Sequence, residues 1–203
     1  MEGNKKMKTE IEGKFLDINK EELRKKLVLF KAELVHKERL MKRMNFDYED
    51  HRLEKIGGWV RVRDEGDKIS LAYKQLNDRT LHGTKEISLI INDFEDACTF
   101  LKSIGLRKIS YQETKRESWL LDNVGITIDT WPWIPPFVEL EGETEESLKV
   151  VCKKLGLNWN DVMHGSVETA YQSHFNVSES EIDNVESITF IPTPNWLEER
   201  RKK

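Results

Sequence analysis

The sequence predicts an α+β fold in which strands alternate with short helices, and three observations carry that reading. Apolar and polar residues alternate with period two from Trp59 to Arg63, Ser70 to Lys74, Glu86 to Ile91, Gly125 to Trp131 and Phe137 to Glu141. Other segments carry apolar residues at helical spacing behind a capping side chain, as in Asn19 to Leu29, where Leu23, Leu27 and Phe30 share one stripe. Two acidic pairs, Glu10 with Glu12 and Glu139 with Glu141, stand at opposite ends of the chain, and one closed sheet would bring them together.

Taken in order, Glu10-Ile11-Glu12-Gly13-Lys14 opens the chain as a strand with two carboxylates and an ammonium on one face. Repulsion between those carboxylates is answered by a divalent cation, with Lys14 beside it to hold an anion such as a metal-bound phosphate chain. The capped helix from Asn19 then covers or plugs a barrel. A long strand from about Ala32 to Phe46 is followed by a turn at Asp47-Tyr48-Glu49-Asp50. The strands at 59–63 and 70–74 are joined around Asp64-Glu65-Gly66-Asp67, and the strand at 86–91 follows them. A helix from Asp93 to Ile104 stops at Gly105, strands run from Arg107 through Leu121 and from Gly125 to Trp131, and a last clear helix begins at Thr144 and ends at Gly156.

Composition bounds the function. At 203 residues and 37% hydrophobic content the chain can bury a substantial core. Its 33 basic and 37 acidic residues leave a net charge of −4, which argues against a general nucleic-acid binder. No run approaches membrane-spanning length and no apolar leader opens the chain, so a soluble cytoplasmic protein is expected, without a membrane partner. Cys98 and Cys152 sit in helical segments as apolar fillers, and the five histidines lack metal-ligand spacing.

Charge parity turns these strands into a site. Arg61 and Arg63 share a face, Lys74 lies opposite Leu71 and Tyr73, and Glu86 lies opposite Ile87 and Leu89. Arg116 is likewise opposite Trp119, Asp129 opposite Ile126 and Ile128, and Glu139 and Glu141 opposite Val138 and Leu140. A half-exposed sheet would leave those charges in solvent, whereas a closed antiparallel barrel with helices outside would turn them into a polar tunnel.

The Glu-x-Glu-x-Lys opening, Arg61-x-Arg63, the Lys74 and Glu86 strands, Lys115-Arg116 and the closing Phe-Val-Glu-Leu-Glu occur in the order of the CYTH superfamily, which this chain resembles over roughly residues 7 to 175. These triphosphate tunnel metalloenzymes include class IV adenylate cyclases, thiamine triphosphatases and inorganic triphosphatases. The resemblance implies an eight-stranded antiparallel β-barrel whose tunnel binds a triphosphate through bases and one or two Mg²⁺ or Mn²⁺ ions through glutamates. By the same resemblance Glu10, Glu12, Glu139 and Glu141 are metal ligands. Lys14, Arg61, Arg63, Lys74 and Arg116 grip the phosphates, the arginines as bidentate forks and Lys74 as a point charge. Lys14, Glu86 and Asp129 form the catalytic set, the two carboxylates either orienting metal or water or holding an arginine in place.

The expected reaction is metal-dependent hydrolysis of a triphosphate, with a class IV-type cyclase converting ATP to cyclic AMP and pyrophosphate, or a non-catalytic polyphosphate or nucleotide module, as the alternatives. Three departures bear on this. Ser88 stands where many relatives have a second carboxylate. Residues 40–46 lack the Gln-x-Asp-x-Tyr-Phe pattern, so that Arg39 or Arg43 adds positive charge and favours a more anionic ligand. Trp131-Pro132-Trp133-Ile134-Pro135-Pro136 either lines a pocket for a ring or packs as a rigid loop over a barrel end. The tunnel domain is expected over 1–175, with 176–203 as an extension that is partly disordered, laid across the barrel or engaged in a homodimer.

Overall fold

The computed structural model describes residues 8–9, 11–77 and 84–202. Strands β1 (Lys8–Thr9) and β2 (Ile11–Phe15) are parted by one residue, Glu10, which lies outside the described residues. After them come α1 (Lys20–Leu29), β3 (Glu33–Asp47), β4 (Gly58–Asp64), β5 (Ile69–Leu76), β6 (Thr84–Ile91) and α2 (Phe94–Ser103). The chain continues through β7 (Arg107–Leu121), β8 (Val124–Thr130), β9 (Phe137–Gly142) and α3 (Glu145–Leu155).

Antiparallel pairing runs β1-β6-β5-β4-β3-β7-β8-β9-β2. The run begins and ends on neighbouring pieces of one strand, so the sheet curls until its ends meet, which is the expected eight-stranded architecture. At the seam, Lys14 exchanges both backbone hydrogen bonds with Met163, at 2.9 and 2.8 Å. Gly13 permits that approach, because a Cβ there would stand 2.7 Å from Val162 Cγ2.

Local chemistry sets the element ends. The Asn19 side chain accepts the amides of Glu21 and Glu22, Asp93 caps α2, and Thr144 caps α3, whose far end closes on Gly156 at φ 66°. Strand β8 stops at Thr130, one residue earlier than the alternation suggests, where Pro132 follows Trp131. Phe30 leaves the helical stripe expected of it. It is the C-cap of α1 and is 37% exposed, whereas Leu23 and Leu27 are buried.

The outer faces of β7, β8, β9 and β2 carry Trp119, Ile126, Ile128, Val138, Leu140 and Phe15 into one core with Leu23 and Leu27 of α1 and Leu148, Val151 and Leu155 of α3. Each fully buried aliphatic side chain there contributes about 1.5–3 kcal/mol. A smaller core joins Val62 and Phe46 to Cys98 and Leu101 of α2. Cys98 and Cys152 are both buried free thiols, as expected.

Beyond α3 the chain forms α4 (Glu168–His174), α5 (Glu179–Asp183), β10 (Ser187–Ile188) and α6 (Asn195–Glu198). Strand β10 adds to β7 in parallel, and Ile182, Ile188 and Leu197 bury against Trp131, Phe137, Tyr171 and Phe175. This C-terminal segment therefore lies across the barrel.

Candidate active site: a charged tunnel

With the apolar faces turned to the helices, alternation turns the opposite faces inward, around a cavity of about 520 Å³. Glu12, Arg61, Arg63, Lys74, Glu86, Arg116, Glu139 and Glu141 all line it. Eight of the ten described site residues singled out from sequence thus converge on one space. Of the other two, Asp129 stands directly behind Arg116, and Lys14 lies against Glu139. Glu10 is outside the described residues.

On the wall made by β2, β9, β8 and β7 the charges are locked together. Arg116 grips Asp129 bidentately, Nε to Oδ1 and Nη2 to Oδ2 both at 2.7 Å, and reaches Glu139 Oε2 at 3.0 Å. Asp129 is fully buried and also accepts from Thr127 Oγ1 at 3.1 Å, so its oxygens are occupied in holding the arginine. Burial lowers the affinity of Arg116 for its proton, but Asp129 and Glu139 more than offset this and raise its pKa. Burial likewise opposes ionisation of Glu139, yet Lys14 and Arg116 hold its carboxyl down at about 2. Lys14 is 3% exposed, and its ammonium donates to Gly165 O at 2.9 Å and Ser166 O at 3.4 Å and pairs with Glu139 Oε1 at 3.1 Å. It ties the closing strand to the 165–166 loop.

Glu12 and Glu141 meet directly across the β2–β9 ladder, just as Lys14 meets Glu139. Like charges in that register are unfavourable without a cation between them. Hard carboxylate oxygens facing a cavity suit Mg²⁺ or Mn²⁺, so this donor set fits the ion expected from the sequence.

The wall made by β3, β4, β5 and β6 carries the other bases. Glu86 Oε2 lies 2.9 Å from Lys74 Nζ and 3.8 Å from Arg61 Nη2. Arg63 pairs with the buried Glu65, which Arg39 also approaches at 3.6 Å. Of the two extra arginines, Arg39 belongs to this ion cluster and reaches Asp67 at 3.0 Å, while Arg43 lines the cavity.

Sequence reasoning missed three groups. Glu65, read only as part of a turn, is 5% exposed and anchors Arg63; only its acidic character beside the Arg-x-Arg strand pointed to it. Asp47, His51 and Glu54 bring ligand-type atoms within 4.8 Å of one another at the cavity edge. Asp47 there accepts the amides of Tyr48, Leu53 and Glu54, which makes it the cap of the 47–54 turn. Glu168 and Asp183, from α4 and α5, reach the same cavity, and burial together with Glu168 pushes the Asp183 carboxyl up to about 9. Their local sequence carries no sign of this, because the contact depends on how the C-terminal segment crosses the barrel. Trp131 lines the cavity, so the Trp-Pro-Trp segment does border a pocket, and Tyr171 Oη fixes it from behind through Pro132 O at 2.9 Å.

A CYTH domain model matches residues 8–157. The chain belongs to the CYTH domain family. Solved structures similar to this CYTH domain include a conserved hypothetical protein from Pyrococcus furiosus, 24% identical, with a TM-score of 0.66 over 80% of this chain and 99% of that one. A candidate adenylate cyclase from Vibrio parahaemolyticus is 16% identical, with a TM-score of 0.71 over 82% of this chain and 99% of its own. A candidate adenylyl cyclase from Hippeastrum with a dominant triphosphatase activity is 14% identical, with a TM-score of 0.56 over 81% and 95%. These likenesses establish the fold. No curated protein matches the chain in sequence. Among the described residues, no helix is long and apolar enough to cross a membrane.

Proposed function

We propose that this CYTH domain hydrolyses a triphosphate, inorganic or organic, inside its tunnel with the help of Mg²⁺ or Mn²⁺. The observation that carries the reading is the direct opposition of Glu12 and Glu141 in a cavity that also gathers Arg61, Arg63, Lys74 and Arg116. Such a set matches a polyanion together with its counter-ion and has no comparable use in a scaffold.

Glu12 and Glu141, with Glu10 and Glu139, would hold the metal. A divalent ion bound there supplies charge neutralisation at the phosphoryl group and acidifies water. Arg61, Arg63, Lys74 and Arg116 hold the phosphate chain in line and offset the charge that spreads over the transferred phosphoryl oxygens. Attack by water on the terminal phosphorus forms a new P–O bond as the bond to the bridging oxygen breaks, so that a diphosphate leaves, phosphate is released and the water's proton passes to the products or to solvent. Lys14 acts as a positioning residue, keeping Glu139 ionised and aimed. Asp129 fixes the Arg116 fork, and Glu86 holds Lys74 and Arg61 in reach of the phosphates. The triphosphatase activity of the Hippeastrum protein supports hydrolysis. The cyclase reading draws on Trp59 in the lining, whose face suits a planar base.

Product analysis tests this with inorganic triphosphate, thiamine triphosphate and ATP, each with Mg²⁺ or Mn²⁺. Phosphate release that falls at least ~10²-fold in Glu12→Gln and in Arg61→Ala is expected. Turnover that survives both substitutions sinks the proposal, and cyclic AMP with pyrophosphate moves it to the cyclase.

A further inference from the structure

Four guanidinium groups meet in the tunnel, and three of them have a carboxylate. Arg116 is held by Asp129 and Glu139, Arg63 by Glu65, and Arg61 lies 3.8 Å from Glu86. Arg43 is different. It is 6% exposed and lines the cavity, and among the described residues no carboxylate oxygen lies within ion-pairing distance of it. Its contacts are a hydrogen bond from Nη2 to Thr114 Oγ1 at 2.8 Å and the face of Trp131, 4.6 Å from Cζ, while Nε has no acceptor.

The strand register sharpens the anomaly, because Arg43 on β3 stands directly opposite Arg63 on β4. Like charges in that position repel, and a buried charge without a counter-charge is costly. Burial first, then Arg61, Arg63 and Arg116, push the Arg43 pKa well below its ordinary value, against a smaller upward pull from Asp129. The indole and Thr114 fix the orientation of the group without neutralising it.

We infer that Arg43 is an anion-binding, specificity-determining residue, which takes a phosphate oxygen of the bound triphosphate and tunes the tunnel to its more highly charged ligands. The inference rests on the proposed triphosphate site and adds to it a contact beyond the Arg61, Arg63, Lys74 and Arg116 set. A guanidinium seated over the Trp131 ring and anchored through Nη2 on Thr114 is a planar fork of donors held at the cavity wall, the chemistry that recognises phosphate oxygens.

The test is calorimetric binding of imidotriphosphate, whose bridging nitrogens resist hydrolysis, and of inorganic phosphate, both with Mg²⁺. Wild type is compared with Arg43→Gln, Arg43→Lys and Arg61→Ala, and the ligand-free melting temperature is read for each. Arg43→Gln should bind imidotriphosphate about tenfold or more weakly, the scale of a hydrogen bond to a charged group. The loss for phosphate should be smaller, Arg43→Lys should recover part of the affinity, and the ligand-free melting temperature of Arg43→Gln should not fall, because a repulsion has been removed. Arg43→Met, neutral and of similar length, replaces Arg43→Gln if that variant does not fold. Binding within twofold of wild type in the neutral variant, or no recovery with lysine, overturns the inference. If Arg61→Ala loses binding while the neutral Arg43 variant keeps it, only the role of Arg43 fails. If wild type binds no imidotriphosphate, the triphosphate reading fails and this inference falls with it.

Discussion

The two walls of the tunnel are built differently. On the β2-β9-β8-β7 wall, Lys14, Glu139, Arg116 and Asp129 form one chain of contacts between 2.7 and 3.1 Å, backed by the large core under α1 and α3. On the β4-β5-β6 wall, Glu86 pairs with Lys74 at 2.9 Å and stands 3.8 Å from Arg61, and Leu89, on the outward face of β6, is 53% exposed. The strands of the first wall are covered by α1 and α3, and its ion pairs form one continuous chain. The second wall rests on the smaller core under α2 and is more exposed along β6. Packing is thus divided unevenly between opposite sides of one cavity.

The sharpest way to break this comparison is Asp129→Ala. It leaves the Arg116 charge with Glu139 alone in a buried site, and a loss of about 3–5 kcal/mol in urea unfolding is expected. Glu86→Ala on the open wall should cost less than half as much, and equal costs would erase the distinction between the walls. Next in size, Leu140→Ala on the covered wall should cost about 2–5 kcal/mol, whereas Leu89→Ala, half exposed on the other, should stay within about 0.5 kcal/mol. Comparable melting shifts for the two would contradict the packing account.

Smaller still is an effect at the edge of the cavity. Asp183 is pushed up to about 9 by burial and by Glu168, so the folded protein holds a proton that the unfolded chain releases near its ordinary value of 3.8. Stability from this site is therefore present at low pH and is lost as pH rises from about 4 toward 9. Asp183→Asn should raise stability by about 0.5–2 kcal/mol at pH 7 and leave it unchanged at pH 4. Thermal melts at the two pH values check this, and an equal gain at both would show that ionisation is not the cause.

Much of the molecule was legible because period-two alternation reports both the strand and its inward face. Arg61 and Arg63, Val138 and Glu139, and Ile128 and Asp129 all face as their parity requires. The caps at Asn19, Asp93 and Thr144 were readable for a similar reason, since a single side chain satisfies nearby amides. Relations between distant segments were not readable. Nothing beside Lys14 announces that its ammonium meets the carbonyls of Gly165 and Ser166, 151 and 152 residues further along the chain. Arg39 and Arg43 were indistinguishable as sources of charge, being on one strand face. Glu65 and Asp67, supplied by the β4–β5 turn, separate them by pairing Arg39 and leaving Arg43 to the cavity.

The most direct measurement of the central claim is a crystal structure of the protein with Mn²⁺ and imidotriphosphate, using the anomalous signal of the metal. The account predicts a Mn²⁺ peak bounded by Glu12 and Glu141, with the phosphate chain inside the tunnel against Arg61, Arg63, Lys74 and Arg116. Metal and phosphates bound outside that cavity, or a tunnel that stays free of both at saturating ligand, would contradict it.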